Sequence, residues 1–125
     1  MLIPNYIAIS NDQLNELNGV DEDTASDLAM DWMEEENLPV TDIDKFADDL
    51  AGELDDTTAQ KAVNGATELC EDPPLFLATP AEVKDMAIAL TNSKVSDDVA
   101  DELDTLTEFY TEAANNGHGV LVLFN

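Results

Sequence analysis

An α+β domain is the fold class this sequence predicts, and three observations predict it. Short apolar segments of strand length stand near both ends, Tyr6 to Ile9 and Val120 to Phe124, rich in β-branched and aromatic residues. Between them, apolar residues recur with a helical rather than an alternating period. Two of the helical segments open with a capping-box pattern, Ser10 with Gln13 and Thr79 with Glu82, in which side chain and backbone satisfy each other at a helix start. The reading is five or six helices packed on a small sheet in which the N-terminal and C-terminal strands pair. One domain covers residues 1–125, a length that buries a single core but not two.

After the first strand, Ser10 caps a short helix that buries Leu14 and Leu17 and stops at Gly19. From Asp23 to Glu36, Ala25, Leu28, Ala29, Trp32 and Met33 recur at helical spacing, and Asp27, Asp31, Glu34 and Glu35 fall on the opposite face. Trp32 belongs to the apolar stripe, so core packing is its default role; only a partly covered Trp32 would serve as an interface anchor. Asn37 to Val40 interrupts the pattern, because Pro39 cannot continue a helix. Thr41 then reads as the cap of a second acidic helix, with Ile43, Phe46, Ala47, Leu50, Ala51 and Leu54 inward and Asp42, Asp48, Asp49 and Glu53 outward.

Asp55 to Asn64 reads as a short helix stopped by Gly65. Pro73 and Pro74 break regular structure, and Leu75 to Leu77 is a brief strand or an extended connector. Thr79, Pro80 and Glu82 occupy the N-cap, first and third positions of a helix whose inner face is Val83, Met86, Ala87 and Leu90. Ser96 reads as the cap of the last helix, with Asp97 and Asp98 against the positive end of its dipole and Val99, Leu103, Leu106 and Tyr110 as its buried stripe. Asn116 and Gly117 end it.

The short motifs Asn5-Tyr6-Ile7 with Ser10, Asp42-Ile43-Asp44-Lys45, Thr79-Pro80-Ala81-Glu82-Val83-Lys84, and Phe109-Tyr110 with Ala113, Ala114 and Gly117 resemble the YfbM-like family of small bacterial domains of unknown function. That resemblance implies an α+β fold and no activity. The chain looks shorter than the family's usual members, chiefly between Leu54 and Pro73, and more acidic.

Charge is the outstanding chemical feature. The chain carries 29 Asp and Glu against four Lys, a net charge of -25. It cannot bind nucleic acid directly by neutralising phosphates with its own cations. It has no Arg, so no bidentate clamp for a phosphate substrate exists, which argues against most nucleotide chemistry. Cys70 is the only cysteine, excluding an intrachain disulfide and a cysteine-based zinc site. A lone cysteine of this kind is read as a small buried hydrophobe. Leu2 to Ile9 is too short and too poor in cations for a signal peptide, and no apolar run reaches membrane length. The expectation is a soluble cytoplasmic protein with no membrane contact.

No catalytic residue, metal site or cofactor is assigned. His118 lies between Gly117 and Gly119 with no partner identifiable by spacing, and reads as an exposed turn histidine. The acids near Asp21 and Asp42 do not continue into a calcium-loop pattern.

The acids concentrate between Asp21 and Asp56, where fifteen carboxylates face one cation, Lys45. Two readings stand. In the first, the chain is a nonenzymatic nucleic-acid mimic that inhibits a basic nucleic-acid-binding protein, such as a nuclease, a restriction or CRISPR effector, or a DNA-binding regulator. Its contact residues are Asp27, Asp31, Glu34, Glu35, Asp48, Asp49 and Glu53, and a homodimer would extend the charged surface. Asp23, Asp27, Asp31, Glu34, Glu35 and Glu36 span about 21 Å of helix. That is one charge per about 3.5 Å, against about 3.4 Å per phosphate along one DNA strand. In the second reading, the acidity of an interaction or housekeeping module only adapts it to its solvent.

Overall fold

The computed structural model describes residues 3–35 and 39–124. Glu36, in the spacing above, and Asn37 and Leu38, in the break after it, lie outside the described residues. Five strands, β1 (Pro4–Ile9), β2 (Val40–Asp42), β3 (Thr67–Glu71), β4 (Pro74–Ala78) and β5 (Gly119–Phe124), form one antiparallel sheet in the order β2-β1-β5-β4-β3. Six helices pack against it: α1 (Asn11–Leu17), α2 (Glu22–Glu34), α3 (Ala47–Glu53), α4 (Thr57–Asn64), α5 (Pro80–Thr91) and α6 (Ala100–Asn115).

The terminal strands pair as expected, Pro4 opposite Phe124 through Ile9 opposite Gly119. β5 is the middle strand, covered on both faces. Val120 and Val122 join the core formed with α3, α4, α5 and α6. Leu121 and Leu123 join the core formed with α1 and α2. A central strand buried on two sides has no polar positions to alternate with, which explains the unbroken apolar run Val120 to Phe124. The same parity sends Tyr6 and Ala8 of β1 to the first layer and Ile7 and Ile9 to the second.

Most helix boundaries follow their local signals. Both capping boxes form, Ser10 with Gln13 and Thr79 with Glu82, and Val83, Met86, Ala87 and Leu90 are buried as read. Gly19 follows α1 in a positive-φ conformation. The first acidic helix is capped by Asp21, whose carboxylate accepts the Thr24 N–H at 2.8 Å. Trp32 is 6% exposed, so it is core and not an anchor. Gly117, at φ +69, closes α6 in a Schellman turn: His118 N–H donates to the Ala113 carbonyl at 2.9 Å and Gly117 N–H to that of Ala114 at 3.1 Å.

Three local expectations are overturned. Thr41 does not cap a helix; Val40 and Thr41 pair with Ile7 and Tyr6 in β2, because two β-branched residues beside an open strand edge gain a ladder there. The second acidic helix therefore starts late, through a 3₁₀ turn at Asp44–Phe46, and its α-helical part holds seven residues. Ser96 does not cap the last helix: its N–H and hydroxyl donate to the two Glu53 carboxylate oxygens at 2.7 and 2.8 Å, and Val99 takes the cap position with no side-chain bond. His118 is half-buried rather than exposed, drawn inward by the turn that ends α6. β3 had no signal in the sequence; Leu75 to Leu77 is a strand, extended to Pro74–Ala78.

The end of α4 is closed by tertiary contacts. A helix leaves its last carbonyls without intrahelical partners. Here Lys61 O accepts the Gly65 N–H at 2.7 Å, Ala62 O accepts the Tyr110 hydroxyl at 2.6 Å, and Val63 O accepts the Tyr6 hydroxyl at 2.7 Å. The chain's two tyrosines, from β1 and α6, thus fix α4 to the sheet and to the last helix. Both rings are buried and meet edge-on, centroids 6.3 Å apart.

Candidate partner-binding surface

On α2, Asp27, Asp31, Glu34 and Glu35 are all exposed, as is Asp23. At 3.6 residues per turn these five carboxylates fall within roughly 120° of arc, opposite buried Ala25, Ala29 and Trp32. Asp23, Asp27, Asp31 and Glu35 stand at successive i,i+4 spacings, so each repels the next along one ridge. The ridge is about 18 Å long. Counted as for the longer set, thirteen residues or about 19.5 Å carry five charges, about one per 3.9 Å, somewhat looser than the phosphate spacing of about 3.4 Å once Glu36 is set aside.

Helix electrostatics do not account for the far end of this ridge. Glu22 and Asp23 sit in the first turn, where the dipole welcomes anions. Glu34 and Glu35 stand at the opposite end, where it disfavours them, and the last turn holds no basic residue. These two acids weaken the helix that carries them.

Asp48, Asp49 and Glu53 are also exposed, but α3 packs on the other face of the sheet from α2. The seven acids read from the sequence as one surface therefore form two, four on one layer and three on the opposite one. Glu53 is further committed within the molecule, since Ser96 donates to both its oxygens and holds its carboxyl below the usual range.

Around α3 the fold gathers acids from distant parts of the chain. Asp48, Asp49, Gly52 and Glu53 share a depression of about 470 Å³ with Asp98 and Val99. Phe46 borders it and also a smaller one of about 180 Å³ lined by Asp42, Asp101 and Glu102. A third, of about 280 Å³, contains Glu53, Asp55, Asp56 and Lys94. The sequence signalled Asp98 as an anion at a helix start, but nothing in it placed that start beside α3.

The groups suited to covalent or metal chemistry are dispersed. Cys70 is buried in the layer under α2. His118 borders a small cavity with Pro39, Phe109 and Glu112, and its Nδ1 is buried with no hydrogen-bond partner among the described residues. Among the described residues, no three His, Cys, Asp or Glu side chains group closely enough to hold a metal ion. No helix among them is long and apolar enough to cross a membrane.

Comparison with known proteins agrees with this architecture. The family model described as a domain of unknown function (DUF1877) matches residues 1–97. The solved structure of YfbM from Escherichia coli, a protein of unknown function, superposes with a TM-score of 0.72 at 18% sequence identity, covering 98% of this chain and 99% of that one. At that identity the likeness concerns the fold alone. No curated protein matches the sequence.

Proposed function

The chain belongs to the DUF1877 family of domains of unknown function, with a fold like that of YfbM, and from that premise we propose that it is a nonenzymatic binding module that docks the α2 ridge into the nucleic-acid groove of a basic protein and inhibits it. The observation that carries this reading is the ridge itself: five exposed carboxylates on one arc of a folded helix. A fixed row of charge steers a basic partner and competes with phosphates for the same cations. That Glu34 and Glu35 stand at the unfavourable end of the dipole supports an external use for them. In this reading α3 is not part of the contact, since it faces the other way.

A second reading is favoured by one specific observation. Acids also cover the opposite layer, at Asp48, Asp49, Asp98, Asp101 and Glu102, the distribution expected if charge only adapts the whole surface to a salt-rich solvent. The experiment that separates the two is capture from lysate at moderate salt, followed by DNA competition against whatever is recovered. Two charge-reversed variants are compared, one changing Asp27, Asp31, Glu34 and Glu35 to Lys, the other Asp48, Asp49, Asp98 and Asp101. Inhibitory docking predicts a stoichiometric basic partner, displaced by DNA and lost only in the first variant. Capture that survives the first variant, or equal loss in both, would sink the α2 contact.

A further inference from the structure

We propose that the cavity beside His118 is a binding site for a single water molecule, which bridges the ring's Nδ1 to the Pro39 carbonyl and so joins the end of α6 to the entry of β2. Among the described residues, Nδ1 is the one buried side-chain polar atom with no hydrogen-bond partner. A polar group buried in that way gives up its hydration for nothing, so buried ring nitrogens are bonded either to protein or to ordered water. Here the protein supplies no bond.

The backbone on both sides of His118 is fixed. Its N–H is committed to the Ala113 carbonyl in the turn that closes α6, and Gly119, the next residue, begins β5 so close to the Ala78 carbonyl that a Cβ would come within 2.9 Å of it. The half-buried ring borders a cavity that α6 lines with Phe109, Glu112 and Ala113, followed by Asn116, and that Ala8 of β1 and Pro39 line as well. Ala8 and Ala113 are buried and apolar.

Size and chemistry select the occupant. The cavity measures about 10 Å³, close to the least that holds one water and too little for an organic molecule. A metal ion would need further ligands, and among the described residues no three His, Cys, Asp or Glu side chains come together. A bound water needs at least a second polar partner besides Nδ1. Proline has no N–H, so the one hydrogen-bonding group Pro39 can offer is its carbonyl, which accepts the Ala8 N–H at 3.1 Å and keeps a second lone pair. Glu112 and Asn116 line the same cavity but are exposed, and neither bonds to Nδ1. A neutral imidazole presents at Nδ1 either an N–H or a lone pair, and a carboxylate could serve only the first. Water donates and accepts, so it serves both.

A crystal structure of the intact chain at about 1.5 Å resolution or better tests this directly. It should show one water about 2.7–3.2 Å from both Nδ1 and the Pro39 carbonyl oxygen. In solution, magnetic relaxation dispersion of the solvent should count one fewer long-lived water in His118→Phe, which has carbon in place of Nδ1, than in the native chain. His118→Asn, whose amide stands about where Nδ1 does, should keep the count. Far-UV dichroism checks that both variants are folded, and if the Phe variant is not, the native crystal structure decides alone. A dry cavity, a direct bond from Nδ1 to Glu112 or Asn116, a water on Nδ1 that does not reach the Pro39 carbonyl, or equal counts in the native chain and a folded His118→Phe overturns the proposal. Because this cavity lies apart from the α2 ridge, its failure leaves the basic-partner reading untouched.

Discussion

Replacing Tyr110 by Phe removes one oxygen and keeps the ring, so it tests whether the end of α4 is held by the tyrosine hydroxyls. The hydroxyl donates to Ala62 O at 2.6 Å from a fully buried position. Losing it forfeits a buried hydrogen bond and leaves a terminal helix carbonyl without a partner, a combined cost of about 2 kcal/mol. For a domain of this size that lowers Tm by about 6–10 °C. Tyr6→Phe acts on the adjacent carbonyl, Val63 O, at 2.7 Å, and should cost a similar amount. The double variant should cost less than the sum by about 0.5–1 kcal/mol, because once the last turn frays, water reaches both carbonyls. Urea and thermal unfolding followed by far-UV dichroism measure all three. A Tyr110→Phe variant within about 0.3 kcal/mol of the native chain would refute the reasoning, as would strict additivity of the pair.

Three further outcomes follow from the same structure. Burial raises both tyrosine pKa values, with a smaller push from Asp42 on Tyr6 and from Tyr6 on Tyr110. The folded chain thus keeps protons that the unfolded chain releases above about pH 10, and stability should fall by about 1.4 kcal/mol per pH unit per tyrosine beyond that point; tyrosinate absorbance near 295 nm should appear only together with loss of dichroism, and its appearance in the folded chain would contradict this. Gly65 has φ +107, and a Cβ there would lie 2.3 Å from the Phe76 ring, so Gly65→Ala should cost about 3 kcal/mol or more. Ser96 holds the Glu53 carboxyl low, a contribution complete above the unfolded glutamate range and lost as pH falls from there through the lower folded value; in carbon-detected NMR titrations Glu53 should ionise below the ordinary glutamate range, and Ser96→Ala should erase part of that difference.

The sequence by itself determined the features set by local chemistry. Ser10 with Gln13 and Thr79 with Glu82 start helices because each pair satisfies its own backbone donors within one turn. The stripe Val83, Met86, Ala87 and Leu90 reports its burial through period alone, and the run Val120 to Phe124 reports a strand covered on both sides. The family resemblance carried by these short motifs held as well.

Tertiary structure decided whatever depends on which distant groups meet. Thr41 became a strand residue because Tyr6 offered it an edge, and Ser96 left its cap position because Glu53 lay forty-three residues away in sequence but within hydrogen-bond reach. The same dependence divided the acids. Local period placed Asp27, Asp31, Asp48 and Asp49 on outward faces correctly, since outward is defined by each helix alone. Whether two outward faces join into one surface depends on which side of the sheet each helix covers, and because β1 and β5 present apolar residues to both sides, the period of neither helix states that side.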